Sequence, residues 1–481
     1  MTAVAPEMQV DAAELARRAE GNWLSPPAEL TINAVEIDSR RCAPGTLFAA
    51  LGGQHADGHD YIAAAAANGA AAALVSRDPG AMPCPLLLVA DVEVALTRLG
   101  AFGRAAHRMA GGHLVAVTGS VGKTGSKEML AHMLHQLGGC HANRASFNNH
   151  LGVPLTLAAL PDAPVAAVQE IGMNAPGEIR TLSALAQPDI AVITRIADSH
   201  AGFFDSLDDI AAAKAEIFEG LTAGGTAILN ADDHYFPFLA TSATKAGAGR
   251  IISFGTASDA EARLLDITAD DAGMTVRADI LGTGLAFRMG TRGHHWAHNA
   301  MAMLAAVAAL DLDISKAADS LSDFSELPGR GAIFEGIFDS TAITLIDDSY
   351  NAGPASMRAA FATIEDMPPQ IMVLSDMLEL GDGGVAAHAA LAPAISALKP
   401  RVLITIGPLM AEMASSLAGS IVHHAAGTPA EATAALRTTL RDGDRVFIKG
   451  SNGSGACRVA AAILDGLAAH TKTNGGASHA A

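Results

Sequence analysis

The chain has 481 residues, half of them apolar and only 4% aromatic, and carries a formal net charge of −19. That length exceeds one compact core and fits roughly three domains, and the composition suits helices packed closely on buried sheets rather than a disordered chain. The acidic balance excludes a nucleic-acid surface, which needs a basic footprint, but not small phosphorylated ligands, which need only local cations.

Residues 1–90 hold short mixed segments, among them the polar, loop-rich run DSRRCAPGTLFAALGGQHADGHDY. Glu7, Asp11 and Glu14 stand where a signal peptide would need a basic start and a greasy centre,. No apolar run reaches the roughly 18 residues of a membrane span, so a cytoplasmic protein without membrane insertion is expected. Cys42, Cys84, Cys140 and Cys457 are scattered and form no CxxC pair, which predicts reduced thiols rather than zinc or disulfides,.

Residues 91–312 alternate strand and helix signals. Leu114 to Val117 reads as a short strand, and Met129, Leu130, Met133, Leu134 and Leu137 share one face of a following helix,. Between them lies TGSVGKTG. The ordinary triphosphate loop puts its first glycine five residues before the Gly-Lys pair, where this chain has Val117; here the glycine comes at Gly119,. Even so, Gly119, Ser120, Val121, Gly122, Lys123, Thr124 and Gly125 arrive in the strand–turn–helix order of a phosphate cradle. Loop amides and the helix N-terminus would face an anion, Lys123 would reach terminal phosphates, and Thr124 would offer a hydroxyl to magnesium. A plain strand-to-helix turn is the alternative. Further strands are expected at Val165 to Val168, Ile190 to Thr194 and Thr226 to Leu229, and MTVRADILGTGLAFRM predicts a β-ribbon,. Glu170 and His200 follow strand ends, as metal ligands or as solvated loop residues. Lys214, in IAAAKAEIFEGL, reads first as a snorkelling surface lysine and second as a side chain turned into a site.

Residues 313–471 repeat the alternation, with strands at Thr344 to Ile346, Ile371 to Leu374, Val402 to Ile406 and Arg445 to Ile448, which predicts parallel sheets with right-handed crossovers,. Residues 472–481 are expected to be a disordered tail. LIDDSYNAGPASM places Asp348 at a strand end before a proline-started helix, to hold a ribose hydroxyl or to serve a capped turn. IKGSNGSGA offers a second anion nest around Lys449.

In this order, and over almost the whole chain, these segments resemble the Mur ligase family of peptidoglycan synthesis. TGSVGKT, Glu170, His200 and Lys214 match features general to the family. FNNHLGVPLTL, EIGMNAPGEI, KAEIFEGL, DDSYNAGPASM and LSDMLELGD are similar to its dipeptide-adding branch. The short glycine loop is this family's form of the phosphate cradle. GHHWAHN departs from the family's frequent Gly-Arg-His-Asn, with His294 and Trp296 standing in the run. The resemblance implies an α/β protein of three domains: a uridine-nucleotide-binding unit, a central P-loop ATPase-like unit with a mostly parallel sheet, and a C-terminal Rossmann-like unit. It also implies an ADP-forming ligase, acting as a monomer, that uses ATP and Mg2+ to join D-alanyl-D-alanine to a UDP-N-acetylmuramoyl tripeptide through an acyl phosphate.

By the same resemblance, Lys123 binds the β/γ-phosphates, Thr124 and Glu170 hold one magnesium ion, and His200 helps hold a second. Lys214 would be carbamylated into a metal-binding anion. Asn299 would face the adenine, and Arg330 and Asp348 would grip ribose and phosphates across a domain gap. Asp38, Ser39, Arg40, Asn148 and Asn149 would hold the uridine-nucleotide peptide, with Asn351 and Lys449 on the substrate side of the closed site. A small-molecule kinase, a non-catalytic nucleotide-binding relative, a neighbouring ligase adding a different amino acid and a folate–glutamate ligase are the rivals. The third strand–helix region weighs against the kinase, intact Lys123, Glu170 and His200 against the non-catalytic protein, and FNNH with DDSYNAGP against the neighbouring ligase and the folate enzyme.

Overall fold

Apolar strands that read as continuous buried runs build three sheets in the computed structural model, which describes residues 11–53, 56–163, 165–197, 204, 206–270, 273–325 and 327–474. The first sheet contains β1 (Asn22–Trp23), β2 (Ala34–Glu36), β3 (Thr46–Ala49), β4 (Ala70–Val75) and β5 (Leu86–Leu88), in the order β1-β5-β4-β3-β2, parallel except for β1. Helix Val92–Met109 packs against it through Val92, Ala95, Leu96 and Leu99, and on its other flank meets helix Gly152–Ala158. That second contact is tight. A Cβ on Gly103 would collide with the Leu157 carbonyl, so only glycine allows the two helices to close,.

The central sheet holds β6 (His113–Thr118), β7 (Cys140–Ala142), β8 (Ala166–Glu170), β9 (Ile190–Ile193), β10 (Thr226–Asn230), β11 (Arg250–Gly255), β12 (Ala262–Asp270), β13 (Gly273–Ile280) and β14 (Thr283–Met289). Its order is β14-β13-β12-β11-β10-β9-β6-β8-β7, parallel from β7 to β12 and antiparallel in the β12–β14 ribbon. Both faces are buried by the period-two alternation of strand side chains. Val115 and Val117 face helices Lys123–Leu137 and His294–Ala309, whereas Leu114 and Ala116 face helices Gly152–Ala158 and Glu178–Ala186. After β6 the chain runs to β7 and β8 on one side and then to β9 on the other. The carboxyl ends of β6, β8 and β9 thus meet at a topological switch point, where open α/β sheets leave a crevice for ligands.

The third sheet comprises β15 (Ala332–Phe338), β16 (Thr341–Asp348), β17 (Ile371–Ser375), β18 (Val402–Ile406), β19 (Val422–Ala426) and β20 (Asp444–Lys449), in the order β15-β16-β20-β17-β18-β19. Only β15 runs antiparallel. Here too the carboxyl ends of β16, β20 and β17 converge. The last helix, Ala456–Asn474, buries Val459, Ala460, Ile463 and Leu467 on this sheet. Its docking corrects one expectation: residues 472–474 continue the helix instead of opening the tail, because an anchored helix propagates one bond per added residue. Residues 475–481 lie outside those described. Among the described residues, no helix is long and apolar enough to cross a membrane, and all four cysteines are free.

Candidate active site

Beyond β6 the chain turns through Gly119 (φ +146°) and Gly122 (φ +83°) into helix Lys123–Leu137. Both glycines are needed for space as well as for φ. A Cβ on Gly119 would strike Thr194 Oγ1, one on Gly122 would lie 2.8 Å from Asn299 Nδ2, and one on Gly125 would lie 2.8 Å from the Trp296 ring. The loop is pinned from β9, since Ser120 N donates to the Arg195 carbonyl (2.7 Å) and Thr194 Oγ1 donates to the Val121 carbonyl (2.6 Å). Lys123 Nζ donates to the Gly119 carbonyl at 2.7 Å, so its charge rides on the loop itself. Such a cradle of amides, helix terminus and ammonium suits a polyphosphate.

Glu170, at the end of β8, is buried and faces this loop. Thr124 Oγ1 donates to its Oε2 at 2.7 Å, and Asn148 Nδ2 donates to its Oε1 at 2.7 Å. The carboxylate's hydrogen bonds come from neutral donors, and the Lys123 ammonium acts on it only through space. A carboxylate and a hydroxyl are hard oxygen donors of the kind magnesium takes beside phosphates. The donor set therefore fits that ion.

Lys214 overturns its first reading. It is buried on helix Leu207–Ala215, lines the same cleft, and has no hydrogen-bond or ion-pair partner among the described residues. Burial, together with the charge of Lys123, holds its amine well below the ordinary lysine range,. Alanines flank it (IAAAKAEIF), and the small side chains leave the helix close enough to the sheet to carry the lysine inward.

The opposite wall comes from the third sheet. Lys449, at the end of β20, pairs with Asp348 at the end of β16 (2.7 Å) and donates to the Asn351 carbonyl (3.0 Å). Arg330 stacks on the Tyr350 ring with its guanidinium carbon 4.1 Å from the centroid. Between the walls lies a cavity of about 1020 Å³ that touches Lys123, Thr124, Glu170 and Lys214 on one side and Arg330, Asp348, Asn351 and Lys449 on the other. A smaller cavity of about 250 Å³ opens off the loop at Val121 and Gly122, lined by Asn230, His294, His298 and Asn299.

The structure thus gathers most of the sequence-predicted residues around one cleft. Asn148 and Asn149 border it too, although the Asn149 side chain is engaged in accepting from the Leu151 and Gly152 amides that start the next helix. Asp38, Ser39 and Arg40 do not line it. Arg40 is turned back on Asp38 (2.7 Å), holding that carboxyl down to about 2, and Ser39 is buried. His200 lies outside the described residues. Sequence reasoning missed Lys127, a fully buried lysine whose Nζ donates to the carbonyls of Asn143 (2.7 Å) and Ala145 (3.2 Å). It also missed Asn143, whose Oδ1 accepts from Glu170 N (2.7 Å), and Ser146 and Tyr350. A lysine one turn into a helix gives no signal of burial, so nothing in the pattern distinguished Lys127.

Family comparison agrees with this layout. Residues 31–92 match the Mur ligase family catalytic domain, 117–307 the Mur ligase middle domain, and 329–452 the Mur ligase glutamate ligase domain. The UDP-N-acetylmuramoyl-tripeptide–D-alanyl-D-alanine ligase of Bacillus subtilis (strain 168) is 34% identical over 454 residues, spanning 91% of this chain and 95% of that ligase. The Escherichia coli (strain K12) ligase of the same name is 34% identical over 385 residues, 79% of this chain and 82% of its own. A crystal structure of MurF from Acinetobacter baumannii superposes with a TM-score of 0.80 at 29% identity, covering 96% of this chain and all of that one.

Proposed function

The chain belongs to the Mur ligase family, and from that membership we propose that it is the ATP-dependent ligase that joins D-alanyl-D-alanine to a UDP-N-acetylmuramoyl tripeptide in peptidoglycan precursor synthesis. The observation that carries the reading is the shared cavity of about 1020 Å³, with a phosphate loop on one wall and the Asp348–Lys449 strand ends on the other. A kinase acting on one small molecule needs no second polar wall; a ligase has to hold an activated acid and an amine at once.

A carboxylate does not accept an amine directly, because its oxygen is a poor leaving group. In the proposed reaction the tripeptide carboxylate oxygen attacks the γ-phosphorus of ATP, the bond to the β–γ bridging oxygen breaks, and ADP carries that electron pair away. The amine of D-alanyl-D-alanine then attacks the acyl carbon of the acyl phosphate, loses a proton, and phosphate departs. Lys123 and the amides of Gly119, Val121 and Gly122 stabilise charge on the transferring phosphoryl group, which is the main catalytic need in such a transfer. Thr124 and Glu170 would hold a magnesium ion, which when bound neutralises phosphate charge. Lys214, buried and with its amine held well below the ordinary lysine range, is placed to take up carbon dioxide as a carbamate, turning a cation that the site would repel into an anion that it would hold. Asn299 and the smaller cavity beside the loop are assigned to the adenine, Arg330 and Asp348 to the ribose and phosphates, and Asn351 and Lys449 to the substrate side. Asp38, Ser39 and Arg40 are assigned to the uridine nucleotide at a distance from the cleft, and His200 to a second magnesium ion. The proposed units are residues 1–90, 91–312 and 313–471, in a monomer working in the cytoplasm, where ATP and nucleotide-linked precursors are held.

Heavy-oxygen labelling tests the chemistry. Tripeptide labelled in its reacting carboxylate should pass one label to the released phosphate. Label found in AMP, or absent from phosphate, would contradict the acyl phosphate.

A further inference from the structure

All three sheets reach the seven residues 143–149. Glu36 on β2 pairs with Arg144 (2.7 Å). Lys127 holds the carbonyls of Asn143 and Ala145. Asn148 donates to Glu170. From the third sheet, the Tyr350 hydroxyl donates to Ser146 Oγ, which lies 3.5 Å from Thr124 Oγ1. Tyr350 is therefore two hydroxyls away from Glu170. It is also rigid on its own side: its N–H donates to the Gly329 carbonyl (2.9 Å), and Arg330 covers its ring. Gly329 sits at φ +75°, where a Cβ would come 3.0 Å from the Tyr350 Cβ, so the turn that presents the phenol depends on glycine,. A phenol fixed at its root whose tip bonds the neighbouring unit acts as a strut between walls.

We propose that Tyr350, through Ser146, is the latch that keeps the third sheet closed over the phosphate loop while the acyl phosphate exists. The proposal rests on the ligase reading above and adds a positioning residue to it. With the latch open, water attacks the acyl carbon, the bond to the phosphate oxygen breaks, phosphate leaves and the tripeptide carboxylate returns, so ATP is consumed without a peptide bond. Removing one hydroxyl leaves the ring, its stacking and its backbone bond in place. Loss of one such hydrogen bond shifts a closed–open equilibrium by roughly ten-fold.

The test measures phosphate released per peptide bond formed in the wild type, Tyr350→Phe and Ser146→Ala, with thermal midpoints as a folding control. The wild type is expected to give a ratio near one. Both variants are expected to fold and to raise the ratio to roughly two or more, with a raised KM for D-alanyl-D-alanine and a nearly unchanged KM for ATP. Loss of rate in folded variants with the ratio still near one overturns the latch, because a merely structural contact would slow both half-reactions together. A wild-type protein that forms no peptide bond removes the ligase reading, and the latch with it.

Discussion

Lys123 and Lys214 share one cleft and make opposite demands on it. Lys123 rides on the phosphate loop as a cation, bonded to the Gly119 carbonyl, whereas Lys214 is buried without a partner among the described residues and close enough to feel the Lys123 charge. Lys123→Ala should fold with an unchanged thermal midpoint and lose at least roughly 100-fold in turnover, the usual cost of removing a charge-stabilising group; near-wild-type phosphate release from the folded variant would defeat the phosphate-loop assignment. Lys214→Ala should be almost inactive and regain part of its rate with millimolar acetate, which can occupy the vacated anion position. The pH dependence has a definite sign. Only the neutral amine takes up carbon dioxide, and burial has lowered the pKa, so the carbamate extends to lower pH than an ordinary lysine would allow and is lost as pH falls through the depressed value,. Bicarbonate depletion should therefore lower wild-type activity more at acidic than at alkaline pH. A fully active Lys214→Ala enzyme would show the lysine to be dispensable.

Elements were legible where their signal is local. The helix after the loop buries Met129, Leu130, Met133 and Leu134 as the spacing predicts, and the ribbon of β13 and β14 follows the alternation of MTVRADILGTGLAFRM. The five short strands of the first sheet were not individually legible, since two to six residues of mixed character carry little periodicity,. Lys214 was misread in the residue pattern because its helix turns a polar position inward, a choice made by tertiary packing. Packing also decides a stability prediction. Arg104, buried on helix Val92–Met109, donates to the carbonyls of Ala186 and Gln187 (2.8 Å each) and pairs with Asp189 (2.8 Å), tying that helix to the central sheet. Arg104→Ala leaves two carbonyls without their donor and takes the guanidinium from a largely buried Asp189, which keeps the Leu114 amide and the Thr222 hydroxyl, and should cost about 3 kcal/mol,. Calorimetry or denaturant titration would register this as a lower first transition; an unshifted transition would mean that the helix is held by its apolar contacts alone.

At the scale of the whole molecule, function follows from two sheets that present their carboxyl ends to one cavity. The alternation of strands and helices in each half was readable in the sequence, but β7, β11, β12, β15 and β19 were not, nor was the strand order that creates the switch point of the central sheet. The docking was not, because it rests on contacts such as Glu36 to Arg144 and Tyr350 to Ser146, between residues 108 and 204 positions apart. No local pattern encodes such pairs. The proposed reaction makes a specific demand on substrates: the acid is activated on the central wall and the amine arrives against the third sheet. Phosphate release from the purified protein, with ATP, the UDP-N-acetylmuramoyl tripeptide and a panel of amine acceptors, tests that demand most directly. D-alanyl-D-alanine should support sustained release with one peptide bond formed per phosphate, while L-lysine, diaminopimelate and glutamate should not. Release that is independent of any amine, or faster with a single amino acid than with the dipeptide, would contradict the account.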